Sequence, residues 1–223
     1  MPSHRVKIQL IASGAAVVFL AACQTAPTPP PAAPVVQPQY TPRAPTPPFR
    51  ASASTVVPPL RSDGLRQTIN RDLGPLETLW HVRSALNVAA LSCTGPLYTR
   101  LVDDYNAFIK NNSASLRRAN NAIKAKFRRE NSDRKAHDRH QTSLYNYWSF
   151  SPLRRPFCDR AVQVGQRAIV TKSADLNSFA AEVLPELEQP FTDFYLAFEE
   201  YQRDLEAWNV QYGQPKATPT SGD

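Results

Sequence analysis

From Leu97 to about Arg129 the positions Tyr98, Leu101, Tyr105, Phe108, Asn112, Leu116, Ala119, Ile123 and Phe127 fall three or four residues apart without interruption. All but Asn112 are apolar or aromatic, and that is the period of an α-helix, so they share one face. A helix of this length spans on the order of 45–50 Å. Its stripe cannot be buried by the helix alone, which calls for antiparallel partners in a bundle. A polar Asn112 within the stripe, followed by Ser113, marks a kink. Only seven glycines and 42% apolar residues suit helices better than turn-dense β architecture. The expected fold is therefore all-α: a helical bundle with one long helix over about 97–129.

Further helices follow from the same spacing. Pro75 suits a first helical position, and Leu76, Leu79, Trp80, Arg83, Leu86, Asn87, Ala90 and Leu91 predict one mostly apolar stripe that ends at Ser92-Cys93-Thr94-Gly95-Pro96. Pro156 opens another helix, with Phe157, Ala161, Val164 and Ala168 inward. The last apolar series runs from Leu176 to Trp208, with Pro185 and Pro190 fitting a new start or a kink, and Gly213 and Pro215 stopping it. This places a helical domain at 61–212 and an expected disordered tail at 213–223.

Residues 24–60 read differently. Twelve prolines lie between Pro27 and Pro59, spaced by Ala, Thr, Gln and Val, so no core can form and polyproline II is the favoured local state. The expectation is a disordered spacer with an extended limit on the order of 110 Å. Ahead of it lie a basic start (His4, Arg5, Lys7) and an apolar run from Ile8 to Leu20, followed by Leu20-Ala21-Ala22-Cys23. The run is too short to span a bilayer. This segment resembles a bacterial lipoprotein signal, with LAAC as its lipobox. The resemblance implies cleavage before Cys23, acylation of that residue (palmitate among the chains) and a lipidated N-terminus at 23–60. Gln24 in place of Asp implies sorting to the outer membrane, with the domain facing the periplasm.

If Cys23 carries lipid, Cys93 and Cys158 remain as an even pair in an oxidising compartment, and a disulfide is the simplest reading. Two buried free thiols are the alternative. A second resemblance rests on Asn87-Val88-Ala89-Ala90-Leu91-Ser92-Cys93, Asp104-Tyr105-Asn106, Thr142-x-x-Tyr145-Asn146 and Phe157-Cys158. Over about residues 76–170 these are similar to an uncharacterised family of secreted helical proteobacterial proteins. That likeness implies no activity, but it sets one cysteine in each of two matching segments.

The formal charge is +7, and it falls to about +5 once Arg5 and Lys7 leave with a signal peptide. In an exported chain this favours lipid phosphates, lipopolysaccharide or acidic cell-wall polymers over nucleic acid. The charge concentrates in Lys110, Arg117, Arg118, Lys124, Lys126, Arg128, Arg129, Arg134, Lys135 and Arg139. Three readings stay open for that cluster: a solvated face, a site for an anionic envelope ligand, or pairing with the nine acids between Asp175 and Glu206, within the chain or across a dimer. Beside it, Tyr145, Tyr147 and Trp148 either close one end of the bundle or stack on sugars.

Signatures of catalysis are absent from the sequence: it holds no GxSxG, HExxH, GxxxxGK[ST] or GxGxxG motif. His137 and His140 lie three apart without an identifiable third ligand, so no metal and no cofactor is expected. The resulting expectation is a non-catalytic structural or protein-interaction module of the cell envelope. Binding of peptidoglycan or lipopolysaccharide is its first alternative, and an unrecognised enzyme its second.

Overall fold

The structure is a computed structural model that describes residues 40–130 and 135–213. Cys23, Arg134, the signal-like segment and the tail beyond Gly213 lie outside the described residues. The fold is all-α, and the described residues form six α-helices: α1 (Pro75–Ser92), α2 (Leu101–Asn111), α3 (Ser113–Arg129), α4 (Ala136–Trp148), α5 (Arg154–Val170) and α6 (Leu176–Tyr212). Among the described residues the only β pairing is an isolated bridge between Leu60 and Arg66.

α1 is the central element and packs against all five other helices. Its buried residues include Thr78, Leu79, His81, Val82, Ser84, Ala85, Leu86, Val88 and Ala89, which cover most of its circumference. The single stripe expected here is therefore corrected, since Leu91 is exposed while Val82 and Ala85 are fully buried. A helix enclosed on nearly all sides has small and apolar residues all round, and its weak periodicity misleads a stripe count.

The stripe of the expected long helix is real, but the helix is not continuous. Leu101, Tyr105, Phe108, Leu116, Ala119 and Ile123 are all buried, yet α2 ends and α3 begins at Asn112, whose backbone leaves the helical region at φ −118°, ψ 20°. Asn112 Nδ2 donates to the Phe108 carbonyl (3.1 Å), and its Oδ1 accepts from Ser173 Oγ (2.9 Å). The amide thus stabilises the break and ties it to the α5–α6 connection.

The longest helix is instead α6, with 37 residues, or roughly 55 Å. It runs through Pro185 and Pro190 without a new start. Val183, Leu184, Leu187, Phe191, Phe194 and Phe198 are buried along one side, and this continuous seam holds the register where each proline removes a backbone bond. The expected restart at the prolines therefore does not occur.

The boundary expected at residue 60 also moves. The compact unit begins at Thr41, and the segment up to Leu60 lies against α6 as a strap. Trp208 Nε1 donates to the Pro42 carbonyl (2.8 Å), the Phe49 ring meets Phe194 edge-on with centroids 6.3 Å apart, and Ala51 is buried. Proline rings supply apolar surface and carry no N–H to satisfy, so this strap needs no ladder of its own.

Cys93 and Cys158 are disulfide-bonded, with Cα atoms 5.7 Å apart and a sequence separation of 65. The bond joins the end of α1 to the first turns of α5.

Candidate functional site

The most concentrated polar chemistry in the described structure is a buried chain of side chains that crosses the bundle. Its centre is Glu188, on the apolar side of α6 between Leu184 and Phe191 and only 3% exposed. Its Oε1 accepts from Thr68 Oγ1 (2.9 Å), Asn70 Nδ2 (3.0 Å) and Tyr147 Oη (2.9 Å). Arg71 approaches the other oxygen at 3.3 Å. A buried carboxylate needs this many partners, because each one lost leaves a charge in a medium that cannot solvate it.

The chain continues through Asn70. With its amide N–H committed to Glu188, its Oδ1 faces His81 Nδ1 at 2.7 Å, so His81 donates from Nδ1. That leaves the Nε2 lone pair of His81 to accept from His140 Nε2–H at 3.3 Å. The hydrogen-bond network thereby assigns both tautomers. His81 is 0% exposed. Burial, then His140 and Lys126, push its imidazole down to about 3. Burial also lowers His140, helped by Lys126 and His137 and opposed by Glu77. Both rings are therefore predominantly neutral near pH 7.

At the α3 end, Lys126 Nζ pairs with Glu77 at 2.8 Å. Burial pushes the Glu77 carboxyl up, but the Lys126 and Gly74 N–H bonds outweigh it and hold the group below its ordinary value. Next to this pair is an open hollow of about 250 Å³ between α1 and α3, lined in part by Pro75, Ala122 and Arg129. At the other end, burial and the neighbouring Glu188 raise Tyr147 well above its usual value. Burial likewise pushes Tyr195 up to about 12.

Chemically, the network fastens more readily than it reacts. Both nitrogens of His81 are engaged by protein groups, and a substrate atom would have to displace Asn70 or His140 to reach it. Among the described residues no group of three or more His, Cys, Asp or Glu side chains is arranged to hold a metal ion.

The basic cluster is divided by the fold. Arg117, Lys124 and Arg128 are exposed along one face of α3, and Arg129 borders the hollow. Arg118 donates to Ser115 Oγ (2.8 Å) and Lys126 is taken by Glu77. Lys135 and Arg139 make interactions of their own. The acids of α6 find other partners: Glu199 pairs with Arg66, Glu188 with Arg71, and Glu182 and Glu186 with Arg167. Among the described residues, no ion pair joins the α3 cluster to these acids, so of the three readings left open the fold does not take pairing within the chain; these four acids pair with arginines at 66, 71 and 167 instead.

The three aromatics do not form an exposed platform. Trp148 is 1% exposed and stacks on Phe157 at 5.6 Å. Tyr147 stacks on Phe191 at 4.5 Å, and Tyr145 donates to Asn87 Oδ1 (3.2 Å) and accepts from Arg83 (2.9 Å). They close the bundle, and sugar stacking on Trp148 is excluded by its burial.

Sequence reasoning missed Thr68, Asn70, Arg71 and Glu188. One signal was present: Glu188 falls on the apolar face of α6, where a charge requires partners from elsewhere in the chain. No protein-family model matches this chain, and no similar curated protein or solved structure was found.

Proposed function

We propose that this chain is a lipid-anchored protein of the bacterial cell envelope, triacylated at Cys23, held at the periplasmic side of the outer membrane, and acting through its helical domain as a non-catalytic interaction module. The observation that carries this reading is the Cys93–Cys158 bond, which suits a chain folded in an oxidising compartment, as the lipoprotein-like N-terminus requires. The buried network supports a non-catalytic role, because His81 at its heart is fully buried with both ring nitrogens taken by protein groups. The strap also shortens the reach of the domain. From Cys23 to Thr41, where the compact unit begins, a fully extended chain covers about 60 Å, roughly half of what a spacer running to residue 60 would allow.

Several acyl chains bind a bilayer firmly where one binds marginally. Replacing Cys23 with Ser should therefore release the protein from membranes washed at high salt. Retention of Cys23→Ser in the washed membrane fraction overturns the anchor, and cross-linking in cells with the wild-type chain identifies the partner.

A second reading is favoured by one observation, the exposed Arg117, Lys124 and Arg128 on α3, which have no carboxylate partner among the described residues. This face attracts an anionic envelope polymer, peptidoglycan or lipopolysaccharide, through screened fields. Pull-down with purified peptidoglycan or lipopolysaccharide at low and high salt tests it. Equal retention of wild type and Lys124→Glu/Arg128→Glu removes the reading.

A further inference from the structure

The disulfide end of the bundle carries a second surface, distinct from the α3 face. After α1 the chain turns through Gly95, whose φ of +115° lies in the region that favours glycine, into the short 3₁₀ helix Pro96–Tyr98. Between this turn and the start of α5 lies an open groove of about 450 Å³, with Pro96, Leu97, Tyr98 and Pro152 as apolar walls, Arg154 and Arg155 at its rim, and Cys158 among its lining. Leu97 is 74% exposed, and Leu91, two residues before the disulfide cysteine on α1, is 78% exposed.

Cations outnumber anions there. Arg154 and Arg155 occupy the first two positions of α5, and no acid stands in that turn. The nearby Asp159 is engaged by the Tyr98 hydroxyl at 2.7 Å, and Asp104 by Arg100 at 3.6 Å. An occupant that fits both features has an apolar body and an anionic head. Addition of a peptide as a strand needs a sheet edge, and the described residues near the groove contain no strand to extend. Exposed leucines beside arginines instead match a surface that enters the headgroup region, with the arginine stems lying on apolar material and their guanidinium groups on phosphate.

The geometry points to a membrane-docking site at this end: an anionic phospholipid places its phosphate on Arg154 and Arg155 and its acyl chain in the Pro96–Leu97–Tyr98–Pro152 groove. This rests on the reading of the chain as an envelope lipoprotein, because an N-terminal anchor holds the domain at high effective concentration over the bilayer and lets a weak contact persist. The disulfide keeps the two walls of the groove in fixed relation.

Testing it requires no acylation. The full chain carrying Cys23→Ser, purified without lipid, is sedimented with phosphatidylcholine vesicles containing about one-third phosphatidylglycerol, and with phosphatidylcholine alone. Binding to the anionic vesicles is expected, with little to the neutral ones, and it should fall when salt is raised from about 0.1 M to about 1 M. Arg154→Ala/Arg155→Ala should weaken partitioning about 30-fold, a factor of about five for each arginine near an anionic surface. Leu97→Asp should weaken it as well, while Lys124→Glu/Arg128→Glu on α3 should leave most of it intact. All of these positions are exposed, and unchanged far-ultraviolet circular dichroism confirms that each variant is folded. No binding by the Cys23→Ser chain overturns the docking site, as does equal binding by the Arg154→Ala/Arg155→Ala variant or loss confined to the α3 variant. The anchor itself stands or falls separately, on the high-salt membrane wash of Cys23→Ser.

Discussion

Acidification from pH 7 to pH 5 should destabilise this domain mainly through His81. In the unfolded chain its imidazole titrates at its ordinary 6.5, whereas in the folded bundle it is held at about 3. A histidine whose folded value is depressed stabilises the native state above 6.5, and that contribution is lost as pH falls toward the folded value, because the unfolded chain binds the proton and the folded one does not. Between pH 7 and pH 5 the loss from this one group comes to about 2 kcal/mol, and it reaches about 4 kcal/mol near pH 3. His140, shifted in the same direction, adds to it. The depressed carboxyl of Glu77 works in a different window. Its contribution is present above its ordinary 4.5 and is lost only below that, so the interval from pH 7 to pH 5 isolates the histidines. Urea unfolding of the oxidised protein at the two pH values is the assay. With a slope of about 2 kcal/mol per molar, the midpoint should drop by about 1 M. His81→Gln, whose amide can still reach toward Asn70 and His140, should lower stability at both pH values but shrink the difference between them. The same pH dependence in wild type and His81→Gln would refute the assignment of a buried neutral imidazole.

Glu188→Ala should cost about 3–5 kcal/mol, since it strands Arg71 and leaves buried donors on Thr68, Asn70 and Tyr147 unpaired. Glu188→Gln, which keeps a carbonyl acceptor for those donors but not the charge, should cost less, and equal midpoints for the two variants in denaturant would refute this, since the acceptor would then recover nothing. Replacing both Cys93 and Cys158 with Ser opens a loop whose ends are 65 residues apart, which should lower stability by about 4 kcal/mol on the chain-entropy model. In the unreduced native protein neither of these two thiols should react with a labelling reagent, and modification of both would contradict the bond.

How much of this was legible in the sequence follows from the kind of interaction involved. The inward positions of α2 and α3 could be read from Leu101 to Ile123 because a helix buried on one side writes its period into the residues that share that side. The apolar series of α6 was legible for the same reason, and the pairing of Cys93 with Cys158 followed as the simplest reading if Cys23 is set aside as the expected lipid anchor. α1 resisted the same treatment because it is surrounded, and nearly every turn is apolar or small. Glu188 and His81 could be seen only as polar residues within apolar series, and their partners at Thr68, Asn70 and Arg71 lie in a segment with no periodicity at all.

The all-α class and the approximate places of the helices were thus set by local sequence: spacing and the positions of proline and glycine. Tertiary structure alone decided the rest. Pro185 and Pro190 remain inside one helix because a continuous row of phenylalanines and leucines holds both sides of each proline against the core. The described prolines from Pro42 to Pro59 lie in a strap because Trp208 receives the Pro42 carbonyl and Phe194 the Phe49 ring. Four acids of α6, Glu182, Glu186, Glu188 and Glu199, pair with arginines at 66, 71 and 167 because those side chains, distant in sequence, are the ones that packing brings within reach. Charge and hydrophobicity can be counted along a chain, but which charges meet is determined by helices that pack across it.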